Sequence, residues 1–362
     1  MNEFRARLSK IEYLKSKCSG ILLYNADGWS NPNFFWLSNT SVNGWLWVPF
    51  KGRARLFVSK MYREEARSVR AKTTFITDFK AVLREFKGEK AGVDLLHLPA
   101  AALSKVKSYV SVKDVSEDLE AARAVKTPYE VKQIRKACGI TAEILRSLEL
   151  PRGISKTSVL LCMTNRSSPA RAKHGFALCR RSHTSPRITE AKLRADIDWE
   201  MSQRGLEPAF PTIVASGKSI ATPHHIPAKK PILGTLLIDL GVRYNGYCSD
   251  VSRTFGSKYK PLIRKIIFET IEPLLKPGAR AADINAAAQN ALGRYAKYYI
   301  TGLGHGVGIA IHEDPSITAK SKDVLQAGNV IAIEPGIYVP GGIRHENVYL
   351  ITKHGAENLT DF

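Results

Sequence analysis

Four carboxylates and one imidazole stand where this sequence otherwise reads as interior. Asp239 and Asp250 interrupt LLIDLGVRYNGYCSDVSRTF (236–255), and Glu334 interrupts NVIAIEPGIYV (329–339). Glu346 interrupts GIRHENVYLIT (342–352), and His305 sits between glycines in GLGHGVG (302–308). A lone buried acid is costly. Two acids that close on a buried sheet repel each other, so one takes up a proton unless a cation lies between them. Two divalent cations would neutralise four converging acids. Oxygen-rich ligation with a single imidazole suits Mn2+, Co2+, Fe2+ or Zn2+ in a two-metal site. Glycines on both sides of His305 let the backbone approach a crowded centre.

The elements that must position these groups are hairpins. Asn245-Gly246 between extended segments is a strong two-residue turn signal, because both residues tolerate positive φ. With that turn, Tyr244 pairs with Tyr247 and Gly241 falls opposite Asp250. Asp239 then lies diagonally across on the same face. Taken alone, this pair could equally be a turn cap and a solvent-facing acid; His305, Glu334 and Glu346 decide against that. Strands 329–339 and 342–352 turn around Pro340-Gly341-Gly342, which sets Glu334 roughly opposite Glu346.

The remaining chain supplies a frame. Residues 1–122 read as a small α/β domain, with strands at 20–25, 45–49, 54–58 and 91–96 and helical spacing at 61–70 and 78–86. Trp29, Phe34, Phe35, Trp36, Trp45 and Trp47 are expected in its core or at an interface. A second domain, 123–362, opens on Thr127-Pro128-Tyr129-Glu130, a capping box with Pro at N1. The helix that follows has an apolar face of Val131, Ile134, Ala137, Ile140 and Ile144. A helix at 190–204 ends at Gly205, a strand occupies 210–216, and a loop carries Thr222-Pro223-His224-His225. Helices are expected at 261–275 and 282–298.

Length and composition fit this frame. The chain has 362 residues, 44% of them hydrophobic, and no apolar run long enough to span a membrane. The N-terminus is charged, without an apolar signal core, so a cytoplasmic location is expected. Five scattered cysteines, none in a C-x-x-C pair, read as reduced thiols. A third of the net charge of +21 falls in one place: 155–187 holds seven Lys/Arg and no acid. That stretch, rich in Ser, Arg and Thr, reads as a basic insertion between two helices and as the place where nucleic acid would bind if it binds at all.

The motifs IDLGVRYNGYCSDVSRTF, GLGHGVGIAIHEDP, AIEPGIY and GIRHENVYLIT together resemble the pita-bread-fold metallopeptidases, the group of methionine aminopeptidase, aminopeptidase P and prolidase. FPTIVASGKSIATPHH resembles the family segment that brings in a catalytic histidine, and the first 122 residues resemble the smaller creatinase-type domain of the prolidase and aminopeptidase P branch. The resemblance implies an α+β chain: a C-terminal pita-bread domain preceded by a smaller α/β domain. It implies an Xaa-Pro peptidase that cleaves before proline in dipeptides or at the N-terminus of short peptides, as a homodimer. Two divalent ions, Mn2+ or Co2+ first and Zn2+ or Fe2+ next, would activate a bridging hydroxide. Asp239 would bind one ion, His305 and Glu334 the other, and Asp250 and Glu346 both. Glu334 would also shuttle a proton. His224, rather than its neighbour His225, and His312 would hold the substrate carbonyl. Arg344 would orient the bridging carboxylates.

The sequence departs from the family at His345 and Asn347, which flank the last ligand, and at Ser316, where some prolidases carry an arginine for the dipeptide carboxylate. The insertion is a third departure. The alternative to an enzyme is a pita-bread-fold protein that binds nucleic acid or ribosomes without catalysis. Such relatives commonly lose ligands, whereas all five are present here. A creatinase-like amidinohydrolase does not keep the metal set.

Overall fold

The computed structural model describes residues 3–26, 31–69, 71–148, 150 and 188–362. The basic stretch 155–187 and Trp29 lie outside the described residues. The chain divides into two compact units, Met1–Glu130 and Val131–Phe362.

The first unit is built on a six-stranded sheet. Its strands are β1 (Gly20–Asn25), β2 (Gly44–Pro49), β3 (Arg55–Val58), β4 (Lys72–Phe75), β5 (Lys90–Val93) and β6 (Ser111–Asp114), in the order β4-β3-β2-β1-β5-β6. β1 and β2 read as continuous apolar runs rather than alternating ones, as strands covered on both faces do, and nearly every residue in them is buried. Helices α1 (Glu3–Lys10), α2 (Pro32–Ser38), α3 (Phe79–Glu85), α4 (Ala100–Lys107) and α5 (Ser116–Ala124) complete the unit. Phe34, Phe35, Trp36, Trp45 and Trp47 are buried, as expected. The helix expected at 61–70 is absent. Two 3-10 turns, Lys60–Tyr62 and Glu65–Ser68, stand there instead, because the segment has little to bury: Met61 is 76% exposed and Ala66 is the apolar side chain that is covered.

Helix α6 (Pro128–Ser147) starts at the expected capping box. Thr127 Oγ1 accepts from Glu130 N at 3.2 Å, and Glu130 Oε2 accepts from Thr127 N at 2.8 Å. In the second unit Ile134, Ala137, Ile140 and Ile144 of α6 are buried. Ala137, Ile140 and Ile144 pack with Leu193, Ile197 and Met201 of α7 (Glu190–Gln203), over Val214, Leu236, Ile238 and Val251. Fully burying an aliphatic side chain contributes about 1.5–3 kcal/mol, so this layer holds the site-bearing hairpin firmly.

That hairpin runs β9 (Leu236–Leu240), β10 (Val242–Tyr244), β11 (Tyr247–Cys248), β12 (Val251–Phe255); β9 also pairs with β8 (Ile213–Ser216), and β10 with β7 (Glu207–Pro208). Asn245 and Gly246 have φ of 48° and 85°, the turn expected, and Tyr244 pairs with Tyr247. The segment expected as one helix over 261–275 changes pitch: α8 (Lys260–Lys265), a π segment (Ile266–Ile271) and a 3-10 turn (Glu272–Leu274). This keeps Ile263, Ile266, Ile267 and Ile271 all in the core. Helix α9 (Ala281–Leu292) stops at Gly293, whose φ is 54°, before a 3-10 stretch reaches Tyr298.

The last sheet has the order β14-β13-β15-β18-β19, from β13 (Gly304–Gly306), β14 (Glu313–Ile317), β15 (Val330–Ile333), β18 (Asn347–Thr352) and β19 (Gly355–Asn358). The short pair β16 (Gly336–Ile337) and β17 (Ile343–Arg344) continues the β15–β18 hairpin. No described helix is long and apolar enough to cross a membrane. Cys18, Cys138 and Cys248 are free and buried, while Cys162 and Cys179 lie outside the described residues.

Candidate metal centre

Two hairpins bring the carboxylates together by the same device. In the first, Val251 pairs with Leu240 and Ser252 with Asp239, in the same register as Tyr244 with Tyr247. That register sets Gly241 opposite Asp250, and the ladder is interrupted there. In the second, Ile333 pairs with Asn347 and Gly336 with Arg344, which sets Glu334 opposite Glu346 at a second interruption. Three of the four acids therefore stand where a ladder breaks, freed from strand geometry to turn inward. His305, in the middle of β13, pairs with Ala332 of β15.

The five side chains meet in one cavity of about 380 Å3, which His224, His312 and Arg344 also line, with Phe210, Pro211, Ile213, Ile226, Pro227 and Ile311 as its apolar wall. His305 Nε2 lies 3.6 Å from Asp250 Oδ2 and 3.7 Å from Glu334 Oε1. Asp250, His305 and Glu346 each offer a donor atom, and the three atoms lie within 4.8 Å of one another. Nδ1 of His305 is 3.1 Å from the Gly306 carbonyl, so the ring hydrogen belongs there and Nε2 presents its lone pair to the carboxylates. The His312 ring meets the His305 ring edge-on at 4.3 Å.

Arg344 organises one side of the centre. Its Nη2 pairs with Asp239 Oδ2, its Nε donates to Ser252 Oγ at 2.8 Å, and its Nη1 donates to the Pro223 carbonyl at 3.2 Å. Ser252 Oγ donates in turn to Glu346 Oε2 at 2.9 Å. The arginine thus grips Asp239 directly and is linked by hydrogen bonds to Glu346 through Ser252. Ser252 is a residue of the site that the sequence motifs leave unmarked. Its signal was a hydroxyl directly opposite Asp239 in an otherwise covered strand.

The electrostatics are those of a site built for cations. Burial, then the neighbouring carboxylates, raises Asp250 and Glu346 well above the usual carboxylate range, against the opposing pull of Arg344. Burial raises Glu334 to about 7 and, with His312, lowers His305 to about 4. Crowded buried acids hold protons that a divalent cation would displace. Asp239 Oδ1 is buried without a hydrogen-bond partner among the described residues. A buried acceptor left unpaired is costly, and a cation would satisfy it. The donor set, four carboxylates and one imidazole lone pair, fits a divalent metal.

Comparison with known proteins agrees with this chemistry. The chain is 31% identical over 358 residues to the Xaa-Pro dipeptidase of Pyrococcus horikoshii, covering 91% of this chain and 90% of that one. It is 40% identical over 186 residues to an uncharacterized peptidase of Methanocaldococcus jannaschii, covering 48% of this chain and 54% of that one. The crystal structure of the prolidase from Pyrococcus horikoshii OT3 superposes with a TM-score of 0.79 at 27% identity, over 98% of both chains. The fold is therefore the α+β pita-bread class, with a smaller domain ahead of it. Residues 132–353 match the profile of Metallopeptidase family M24, and the chain, a metallopeptidase, belongs to that family.

Proposed function

We propose that this metallopeptidase hydrolyses the peptide bond before proline, in Xaa-Pro dipeptides or at the N-terminus of short peptides, with two divalent cations, Mn2+ or Co2+. The observation that carries the reading is the convergence of Asp239, Asp250, Glu334, Glu346 and the free Nε2 of His305 in one cavity. Asp239 would hold one ion, His305 and Glu334 the other, with Asp250 and Glu346 shared. Bound there, the cations supply Lewis-acid polarisation of the scissile carbonyl and an acidified water at neutral pH. Glu334 accepts a proton from the attacking water at a carboxylate oxygen and delivers it to the leaving nitrogen. His312 and His224 donate hydrogen bonds to the substrate carbonyl and to the oxyanion that replaces it. Phe210, Ile213 and Ile311 form an apolar wall beside these bonds.

The names of the relatives support the preference for proline. A homodimer in the cytoplasm belongs to the same reading. The test is a metal titration of the purified protein followed by assays on Xaa-Pro dipeptides, a Xaa-Pro-Yaa tripeptide and their alanine counterparts. Turnover of the proline substrates alone, dependent on Mn2+ or Co2+, is expected. No turnover after loading, or equal rates on the alanine peptides, refutes the reading.

A further inference from the structure

Another buried acid lies outside the metal centre and faces the loop that carries His224. Glu190 is the first residue of α7, just after the N-cap Thr189, and it is fully buried. A carboxylate at that depth is costly unless its lone pairs are engaged. Here they are. Oε1 accepts from Ser216 N at 2.7 Å and from Ser216 Oγ at 2.9 Å. Oε2 accepts from His225 Nε2 at 2.8 Å and from Ala228 N at 3.2 Å. Lys230 Nζ stands 3.5 Å from Oε1. Burial pushes this acid upward, but the His225, Ala228 and Ser216 hydrogen bonds outweigh it and hold the carboxyl below its ordinary value.

These partners bracket a single loop. Ser216 ends β8, which pairs with the strand of Asp239, and Ala228 closes the loop. Backbone bonds fix the same junction: Ala191 N donates to Ala228 O at 3.0 Å and Glu190 N to Lys230 O at 3.2 Å. His224 sits inside the loop, between two anchored neighbours. The carbonyl of Pro223 is held by Arg344, and the ring of His225 is held by Glu190.

We infer that Glu190 is a positioning residue for the peptidase reaction, fixing His224 through the His225 ring and the Ala228 backbone. The task given to His224 rests on the proposed function; the clamp itself does not. Glu190→Gln preserves volume but leaves one acceptor oxygen for two pairs of donors, so either Ser216 or His225 Nε2 and Ala228 N face a donor amide. His225→Leu removes the ring donor, and His225→Gln keeps an N–H that can reach the carboxylate.

The experiment measures kcat, KM and metal content of these variants on a Xaa-Pro dipeptide, with 15N spectra of the histidine rings in the same proteins. Glu190→Gln and His225→Leu are each expected to lower kcat about 10- to 100-fold through misplacement of His224. KM should stay within about threefold, with metal content unchanged. The double variant should be little worse than either single one, since both break one link, and His225→Gln should recover most of the loss seen in His225→Leu. In the parent the His225 ring should carry its proton on Nε2. Glu190→Gln should shift the His224 and His225 signals and leave the exposed His354 unmoved. Parental kinetics in a folded Glu190→Gln, or a loss that tracks lost metal, overturns the inference. A parent that cleaves no Xaa-Pro peptide refutes the proposed function instead. In that case the spectra still decide: an unmoved His224 signal in Glu190→Gln sinks the clamp.

Discussion

Arg344 pairs with one carboxylate oxygen of Asp239 and leaves the other, Oδ1, buried with no hydrogen-bond partner among the described residues. The pair fixes the acid's orientation and leaves its free oxygen for a cation. The same guanidinium serves Ser252 and the Pro223 carbonyl, and its planar fork is what allows three directions at once. Lysine keeps the charge but has no such fork. Arg344→Lys is therefore expected to weaken metal binding about 10- to 100-fold, the range found when supports of metal ligands are removed. Isothermal titration with Mn2+ measures this directly. Affinity equal to the parent would mean that Asp239 needs no outside support.

The crowding of acids makes a prediction about pH. Asp250, Glu334 and Glu346 all have folded-state values raised by burial, so at these three positions the metal-free fold binds more protons than the unfolded chain, while His305, His312 and His345, lowered by burial, bind fewer. The unfavourable contribution of the acids is absent below the ordinary carboxylate range and grows as pH rises through it, for Glu334 from 4.5 up to about 7. Relative to metal-loaded protein, metal-stripped protein should lose stability across that window, by up to about 1.4 kcal/mol per pH unit for each titrating acid. Urea unfolding at pH 5, 6 and 7, with and without Mn2+, measures the difference in slope. Parallel slopes would contradict the account.

Removing one acid should separate stability from activity. Asp250→Asn takes away the cost of holding a crowded, buried carboxyl in its protonated form, so the metal-free variant is expected to be as stable at pH 7 as the parent or more so. It should also lose a shared ligand and, with it, turnover by about 1,000-fold or more. Melting in chelator and kcat in excess Mn2+ test the two halves separately. A variant that is both active and metal-bound would remove Asp250 from the site.

Much of this geometry was legible in the residues because turn chemistry fixes register. Asn245-Gly246 admits positive φ at both positions, and once that turn is set every pairing down to Asp239 follows. The same holds for Glu334 and Glu346 across their hairpin. What could not be read depends on partners far along the chain. β13 is three residues, two of them glycine, and is a strand only because β14 and β15 flank it. Met61–Arg70 has helical spacing but too few covered apolar side chains to hold a helix. Arg344 meets Asp239 across more than a hundred residues, so its partner among the carboxylates is a fact of the fold. The buried clamp of Glu190 on His225 was hidden for the same reason: Glu190 read only as a helix start.

Two glycines of the second unit should respond to the same substitution with opposite signs. At Gly241, opposite Asp250, a Cβ would stand 1.9 Å from the Ser249 carbonyl oxygen and 3.0 Å from Phe210 Cε1. The strand cannot yield there without moving Ser249, and Asp250 follows it directly in the chain. Gly241→Ala should cost about 3 kcal/mol or more, as overpacking against fixed backbone does, and should weaken metal binding as well. At Gly139, within helix α6, a Cβ would meet nothing within 4 Å. Gly139→Ala removes only the entropic cost of a mid-helix glycine and should stabilise by about 0.5–1 kcal/mol, with metal affinity unchanged. Urea midpoints and Mn2+ titrations of the two variants, read side by side, check both signs. A Gly241→Ala protein with parental stability would mean that the close approach of residues 241 and 249, and the register that turns Asp250 inward, is wrong.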